Sequence, residues 1–292
     1  MRRAVGSPAA SLPKRRISMI HETIHLFEDR PNVTLTTYVA SVLDGVPYNN
    51  KRKAVLVIPG GGYYDCANRE GEPMAHVYLA AGFNTFVLTY STVTTGSCDP
   101  TWPNPLMDAS AAMKHIRDHA EEYHVDPDYI FVIGSSAGGH LACSLGTLWD
   151  NDEIEAKLGM EKGYNKPTGM ILCYPVITGG AYAHRGSFDR ILAEKKDDPE
   201  AIAALSLENR VSEKTVPTFI WTTAEDTCVP PQNTLFFIKA LADQGIPFES
   251  HIYPKGGHGA SINNEIVGCC RPAIADWVDA SIRWMKSIKV EK

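Results

Sequence analysis

The sequence lacks the features that would place it in several specialised classes of protein. No run approaches the roughly 18 apolar residues that a membrane span requires, so a membrane protein is not expected. Neither Gly-x-Gly-x-x-Gly nor Gly-Lys-Ser/Thr occurs, which disfavours a phosphate-binding loop. Basic residues are fewer than acidic ones, 28 against 34, for a formal net charge of −6. Binding to nucleic acid or to anionic membranes needs a basic surface, so neither is predicted as the main function.

The cysteines show no organised spacing. There are seven, without any Cys-x-x-Cys pair, and Cys269 and Cys270 are adjacent. This pattern suits neither a disulfide framework nor a zinc site. Cys143 and Cys173 lie in apolar runs, which favours a role as small core residues. Reduced thiols are typical of the cytoplasm, so we expect a cytoplasmic protein, and no metal site is predicted.

Residues 1–18 differ from the rest of the chain. They carry five of the 28 basic residues, no acidic residue and no apolar core. A secretory signal needs 7–15 apolar residues after its positive start, so this segment does not match one. We expect a disordered extension or tag, with Met19 as a natural start and residues 19–292 as a single domain.

From residue 20 onward, strand-like and helix-like segments alternate. Short apolar runs bounded by Pro and Gly are typical of strands buried on both faces of a parallel sheet. The alternation predicts a three-layer α/β fold, in which a mostly parallel sheet of about eight strands has helices on both faces. We predict strands at 23–27, 33–42, 54–58, 85–90, 130–133, 170–174, 218–222 and 248–253, and helices at 73–81, 105–123, 137–149, 232–244 and 272–288.

One segment, residues 179–212, breaks this alternation. It is polar, contains a Lys-Lys-Asp-Asp block and shows one short helical pattern at 199–205. We expect a lid-like insertion over the edge or top of the sheet and not a second domain.

The strongest chemical signal is Gly134-x-Ser136-x-Gly138, between a predicted strand and a predicted helix. It fits the nucleophile elbow, whose serine occupies a strained turn that requires small neighbours two residues away on either side. Ser135 does not fit, because Ile133 occupies the place of its first glycine. A glycine-rich turn capping an ordinary helix is the alternative, but the strand–turn–helix context favours Ser136 as a nucleophile.

A second glycine-rich segment, PGGGY at 59–63, directly follows the predicted strand 54–58. Backbone N–H groups stabilise the oxyanion that forms when a serine attacks a carbonyl. We predict Gly61 and Gly62 as donors from this loop, together with Ala137, the residue after the nucleophile. A flexible hairpin or a phosphate loop is the alternative.

The chain order Ser–acid–His restricts the choice of base and acid. His258 lies in a Gly-Gly-His-Gly loop after the last predicted strand and is the predicted base. His251 lies within that strand, and His140 begins a helix, so packing roles are predicted for both. Asp226 follows the strand 218–222 and is predicted to orient the imidazole, with Glu225 as the alternative. For one acid alone, helix capping would be an ordinary role.

Four further residues are candidates for contact with substrate: Tyr63, Tyr64, Trp102 and Glu70. Their segments are expected at the carboxyl edge of the sheet, where aromatic rings can stack on sugars. For Glu70 we favour an ion pair with Arg69 and a favourable charge at a helix start over a substrate contact. A role for Glu70 and Glu72 as a general acid and base pair, as in glycosidases, is less favoured.

These motifs resemble the α/β-hydrolase superfamily, on its hormone-sensitive-lipase-like side. More narrowly, the chain is similar to the acetyl-xylan-esterase/feruloyl-esterase-like (BD-FAE-type) carbohydrate esterases. The lipase branch carries His-Gly-Gly-Gly where this chain has Pro59-Gly-Gly-Gly, so the oxyanion donor stays open between Gly61 and Gly62. The matching segments are 59–63, 69–75, 86–91, 125–130, 134–142, 174–177, 225–230 and 256–259.

The resemblance implies hydrolysis of acetyl esters through an acyl-enzyme, often the deacetylation of plant-cell-wall oligosaccharides. We therefore expect a serine esterase that acts on a small ester, an acetylated oligosaccharide. The enzyme is expected to need no metal or cofactor. An arylformamidase or small serine peptidase with the same triad is the alternative. A non-catalytic binding module is disfavoured, since all three triad residues are present. Oligomeric state is left open, a homodimer being one option.

Overall fold

A computed structural model describes residues 18–43, 51–274 and 276–290. Within these residues the strands and α-helices alternate along most of the chain. The strands are β1 (Thr23–His25), β2 (Thr34–Tyr38), β3 (Arg52–Ile58), β4 (Asn84–Thr89), β5 (Val125–Ser135), β6 (Met170–Cys173), β7 (Thr218–Thr223) and β8 (Phe248–Tyr253). The helices are α1 (Glu72–Ala80), α2 (Asn104–Asp118), α3 (Ser136–Thr147), α4 (Asp152–Leu158), α5 (Arg185–Leu192), α6 (Pro199–Leu205), α7 (Gln232–Asp243) and α8 (Trp277–Ser287).

All the strands join one eight-stranded sheet in the order β1-β2-β4-β3-β5-β6-β7-β8. β2 runs antiparallel to both of its neighbours, and the pairs from β4 to β8 are parallel. The predicted mostly parallel sheet is confirmed. Because the parallel strands share a direction, their carboxyl ends and the loops that follow meet at one edge.

Successive strand residues point to opposite faces, which divides the core in two. Val55 and Val57 of β3 belong to an apolar cluster with α1 and α8. Leu56 and Ile58 belong to a second cluster with α2, α3 and α7. Helices therefore cover both faces of the sheet, as predicted, and the strands read as continuous apolar runs because both faces are buried.

Several boundaries differ from the predictions. β5 begins at Val125, five positions before the predicted start at 130, and α2 ends at Asp118 instead of 123. His124 adopts a left-handed conformation (φ 51°) that turns the chain from the helix into β5. α8 begins at Trp277 because Pro272–Ile274 forms a separate 3-10 turn. α4 and α5 were not predicted; each spans about two turns, too short for a clear periodicity.

The segment 179–212 contains α5 and α6 and packs against the body of the protein. Phe188 and Ile191 of α5 are buried in the cluster beneath α2 and α3. The N–H of Leu207 donates to the carbonyl oxygen of Ile177 at 3.1 Å, which ties the end of the segment to the chain after β6. Its role as a lid remains a prediction.

The predicted disordered extension covers residues 1–18. Of these, residues 1–17 lie outside the described residues. In the described part of the chain, no helix is long and apolar enough to cross a membrane. All seven cysteines are described, and each is a free thiol.

Candidate active site

Ser136 stands at the junction of β5 and α3, in a conformation that side chains rarely adopt. Its φ is 54°. A Cβ atom on Gly134 would lie 2.1 Å from the carbonyl oxygen of Gly138, and one on Gly138 would lie 2.3 Å from the carbonyl oxygens of Ile58 and Pro59. Such approaches exclude any side chain, so both glycines are required for the turn that presents Ser136 at the sheet edge.

Three polar side chains from distant parts of the chain meet at this edge. Nε2 of His258 lies 2.9 Å from Oγ of Ser136, and Nδ1 lies 2.7 Å from Oδ2 of Asp226. The carboxylate can only accept a hydrogen bond, so Nδ1 carries the proton and Nε2 is free to accept one from the serine. The structure thus brings together the predicted nucleophile, base and acid.

Asp226, and not Glu225, reaches His258. Asp226 is only 3% exposed, and its Oδ1 accepts the N–H groups of Cys228 at 3.0 Å and Val229 at 2.9 Å. Glu225 points to solvent, where its carboxylate accepts the N–H of Gly256 at 3.4 Å. The backbone bonds hold Asp226 in place, which suits the orientation of an imidazole.

The loop 59–63, which we call the oxyanion loop because it carries the predicted donors Gly61 and Gly62, lies directly against Ser136. A Cβ atom on Gly60 would lie 2.9 Å from Cβ of Ser136, and Gly61 and Gly62 have φ values of 121° and 65°. Within the described residues, we find no acceptor for the N–H of Gly61 or Gly62. The N–H of Ala137, in the first turn of α3, has no intrahelical acceptor either. All three predicted oxyanion donors are therefore free to bind a substrate oxygen.

Two of the four candidate substrate contacts, Tyr63 and Glu70, have buried side chains that offer no surface to a substrate. Tyr63 is 0% exposed, and its hydroxyl lies 2.8 Å from Nδ1 of His140. Glu70 is 2% exposed and accepts the N–H of Gly60 at 2.9 Å and the hydroxyl of Tyr174 at 2.8 Å. Among the described residues, Glu70 has no ion pair with Arg69 within 4.0 Å, so that prediction is wrong. Each side chain satisfies its polar atoms inside the protein instead.

Tyr64 and Trp102 occupy different surroundings. Tyr64 follows the oxyanion loop, is 50% exposed, and has the guanidinium carbon of Arg190 5.3 Å from its ring centroid. Trp102 is partly buried and donates its backbone N–H to the carbonyl oxygen of Ile191 at 2.9 Å. Its side chain lines a cavity of about 600 Å³ with Ile191 and Leu192 of the insertion. Tyr64 is thus accessible beside the oxyanion loop, whereas Trp102 packs on the insertion.

The insertion brings two residues to the site that the sequence analysis missed. Arg190 donates from Nη1 to the carbonyl oxygen of Gly62 at 2.9 Å. A Cβ atom on Gly62 would lie 3.5 Å from Cε1 of His184. Burial, followed by the charges of His258 and Arg190, lowers the pKa of His184, which therefore stays neutral more readily. Only the packing of the insertion reveals these contacts, since nothing in its polar composition marks either residue.

Tyr174, also missed, lies just beyond β6. Its ring packs edge-on against that of His258, with centroids 4.9 Å apart and an interplanar angle of 71°. Burial raises the pKa of its hydroxyl well above the usual value. The sequence signal was only a Tyr-Pro pair after a strand, which does not indicate a direction for the side chain. Among the described residues, no group of three or more His, Cys, Asp or Glu side chains is arranged to hold a metal.

Known proteins are similar to this chain in sequence and in architecture. Endo-1,4-beta-xylanase B of Butyrivibrio fibrisolvens is 40% identical over 219 residues, covering 74% of this chain and 33% of that protein. The acetylxylan esterase of Xylanibacter ruminicola is 30% identical over 219 residues, covering 73% of this chain and 42% of that protein. The chain therefore spans less than half the length of either curated relative. The crystal structure of an acetyl ester-xyloside bifunctional hydrolase from Caldicellulosiruptor lactoaceticus superposes with a TM-score of 0.75 at 34% identity, covering 95% of this chain and 98% of that one.

The sheet order and the structural likeness define an α/β-hydrolase, which confirms the fold implied by the sequence motifs. A family model described as BD-FAE matches residues 46–241, about two thirds of the chain. The chain belongs to the BD-FAE family, so the narrower resemblance is confirmed as well.

Proposed function

We propose that the protein is a serine esterase with Ser136 as its nucleophile. The observation that carries the proposal is the continuous hydrogen-bonded series from Ser136 through His258 to Asp226, on a strained elbow beside free backbone amides. A base that is oriented by a buried carboxylate and bonded to a hydroxyl is the arrangement that activates serine for acyl transfer.

In the proposed reaction, Oγ of Ser136 attacks the ester carbonyl as Nε2 of His258 takes the hydroxyl proton. The N–H groups of Ala137 and of Gly61 or Gly62 stabilise the oxyanion. The C–O bond to the alcohol then breaks, and the alcohol leaves with the proton from His258. Water attacks the acyl-enzyme, giving a proton to His258, and collapse of the second oxyanion returns that proton to Oγ and releases the acid.

The proposed substrate is a short-chain acetyl ester, specifically an acetylated oligosaccharide derived from plant cell walls. Two related proteins carry names that refer to acetyl esters of xylan or xylosides, which supports this class. A neutral acetylated sugar needs no basic surface, in agreement with the net charge of −6. The half-exposed ring of Tyr64 offers a surface for a sugar beside the oxyanion loop.

The insertion 179–212 is proposed as a lid over the site. Its contacts support this, since Arg190 holds the carbonyl of Gly62 and His184 lies next to the same loop.

The proposal is tested with Ser136→Ala, using p-nitrophenyl acetate and a serine-directed phosphonate probe. We expect loss of hydrolysis and of labelling with an unchanged thermal unfolding midpoint. Ser144→Ala, a buried serine of the same helix whose hydroxyl bonds the carbonyl of His140, is the matched control and should keep both. Retained activity in Ser136→Ala would refute the assignment.

The substrate class is tested separately. A panel of acetyl esters, formyl amides and dipeptides distinguishes an esterase from an arylformamidase or a small peptidase. Mass spectrometry of acetylated xylan fragments should show loss of acetyl groups, and an unchanged acetylation pattern would contradict the proposed substrate but not the esterase chemistry.

A further inference from the structure

We propose that Glu70 is a positioning residue that couples the oxyanion loop to the loop carrying His258. Its two carboxylate oxygens serve different parts of the site. Oε2 accepts the N–H of Gly60 at 2.9 Å, and Oε1 accepts the hydroxyl of Tyr174 at 2.8 Å. The first bond fixes the backbone immediately before the donors Gly61 and Gly62.

The second bond leads to the catalytic histidine. The Tyr174 hydroxyl also accepts the N–H of Ser261 at 3.0 Å, three residues beyond His258. The hydroxyl of Ser261 in turn donates to the backbone carbonyl of Arg69 at 2.6 Å, which closes the network next to Glu70. The ring of Tyr174 packs edge-on against His258. One carboxylate therefore connects the oxyanion loop with the loop that carries His258, and acyl transfer requires a fixed relative position of these two loops.

The surroundings of Glu70 make this connection stiff. Glu70 and Tyr174 are 2% and 1% exposed, so water does not compete for their hydrogen bonds. Burial keeps the pKa of Tyr174 well above its usual value, so the phenol keeps its proton and can continue to donate. Among the described residues, no lysine, arginine or histidine nitrogen lies within 4.0 Å of the Glu70 carboxylate. A buried carboxylate is costly unless it is hydrogen-bonded, so the bonds from Gly60 and Tyr174 offset the cost of burying Glu70 and hold it in one position.

Glu70 bonds neither Ser136 nor His258, so its effect must pass through Gly60 and Tyr174. Displacing the oxyanion amides relative to Ser136 weakens the interactions that form in the transition state, while substrate binding in the ground state changes little. The expected signature is a lower kcat at nearly constant KM. This inference rests on the proposed esterase function.

The first test is Glu70→Gln, with p-nitrophenyl acetate as the probe. The two bonds go to two different carboxylate oxygens, and Gln replaces one of these with an NH2 group that cannot accept. With the side chain in the same position one bond is lost, and we expect kcat to fall on the order of 100-fold with KM changed by less than about twofold. Glu72→Gln, two residues away on the surface, is the matched control and should behave as the wild type. A variant with wild-type kcat, or with a loss confined to KM, would overturn the proposal.

The second test is Tyr174→Phe, which keeps the ring on His258 and removes only the hydroxyl. In the double variant with Glu70→Gln, the loss in kcat should be close to that of the stronger single variant, because both changes break one network. Losses in kcat that multiply would refute the coupling. If Glu70→Gln does not fold, Tyr174→Phe alone tests the proposal.

The control is Tyr78→Phe, which removes a buried hydroxyl that bonds Ser281 instead, and it should keep wild-type kcat. If wild-type protein is inactive or Ser136→Ala stays active, the proposed function fails; if both behave as expected while these variants do not, only the role of Glu70 fails.

Discussion

The hydroxyl of Tyr63 and Nδ1 of His140 lie 2.8 Å apart and join the end of the oxyanion loop to α3. The other ring nitrogen, Nε2, lies 2.9 Å from the carbonyl oxygen of Leu205 in the insertion. A carbonyl can only accept, so Nε2 carries the proton and Nδ1 accepts from Tyr63. His140 is thus a neutral bridge between three segments, a more specific role than the packing predicted from its place in the helix.

This bridge predicts a loss of stability in acid. Burial lowers the pKa of His140 to about 4, from an ordinary value of 6.5, although the Leu205 carbonyl opposes the shift. Above pH 6.5 the imidazole of His140 is neutral in both the folded and the unfolded chain. As the pH falls from 6.5 towards 4, only the unfolded chain binds the proton, which lowers the free energy of unfolding by roughly 3 kcal/mol.

Urea denaturation of the wild type and of His140→Gln at pH 7.5 and 4.5 measures this effect. Between these two pH values the free energy of unfolding should fall less in His140→Gln than in the wild type. The fall should not vanish, because burial also lowers the pKa of His115 to about 4. Equal declines in the two proteins would contradict the assignment to His140.

The two neighbouring acids after β7 should respond differently to amide substitution. In Asp226→Asn, the side-chain oxygen can keep the N–H groups of Cys228 and Val229, which leaves the NH2 group facing Nδ1 of His258. His258 would then need to protonate Nε2 and could no longer accept from Ser136. We expect kcat to fall about 10⁴-fold, the order known for this change in serine proteases.

Glu225→Gln is the matched control, since its carboxylate faces solvent and, among the described residues, accepts only the N–H of Gly256. Hydrolysis of p-nitrophenyl acetate by both variants gives the comparison. Similar losses in both, or a larger loss in Glu225→Gln, would reverse the assignment of the acid.

Arg190 should contribute to rate through the oxyanion loop. Its Nη1 donates to the carbonyl oxygens of Gly62 and Gly186, both at 2.9 Å, and so attaches the loop to α5. Arg190→Met keeps the aliphatic stem and removes these donors, and we expect kcat to fall by about tenfold as the loop loses its fixed position. Arg185→Met, on the same helix in a surface ion pair with Asp189, should retain wild-type kcat. Wild-type kcat in Arg190→Met would exclude this role.

The sequence was informative wherever chemistry depends on where a strand ends. Ser136, Asp226 and His258 each follow one of the parallel strands of the sheet, so their meeting could be predicted from the order of elements alone. Tyr63 could not be placed in this way, because its own left-handed backbone (φ 58°) turns the side chain inward. Glu70 could not be placed from the sequence either, because its partners Gly60 and Tyr174 lie near it only in the folded chain.

The insertion was the other limit of prediction. His184 and Arg190 reach the site only because Phe188 and Ile191 bury the facing side of α5. That packing depends on where the insertion folds back onto the protein. No local pattern in its polar sequence predicts this position. Tertiary contacts therefore decided which residues surround Ser136, while Ser136, the proposed nucleophile, could be predicted from its motif.

Tyr64 should matter for sugar substrates and not for small activated esters. Its ring is half-exposed beside the oxyanion loop and near Arg190, where a sugar face can pack on it. Tyr64→Ala should raise KM for acetylated xylo-oligosaccharides about fivefold, equivalent to about 1 kcal/mol of lost aromatic contact. Kinetics on p-nitrophenyl acetate, which has no sugar to stack, should stay at wild-type values, and Tyr64→Phe should restore the KM because it retains the ring. An equal KM for the oligosaccharide in Tyr64→Ala would show that the sugar lies elsewhere, and a parallel loss on both substrates would show that Tyr64 instead supports the oxyanion loop.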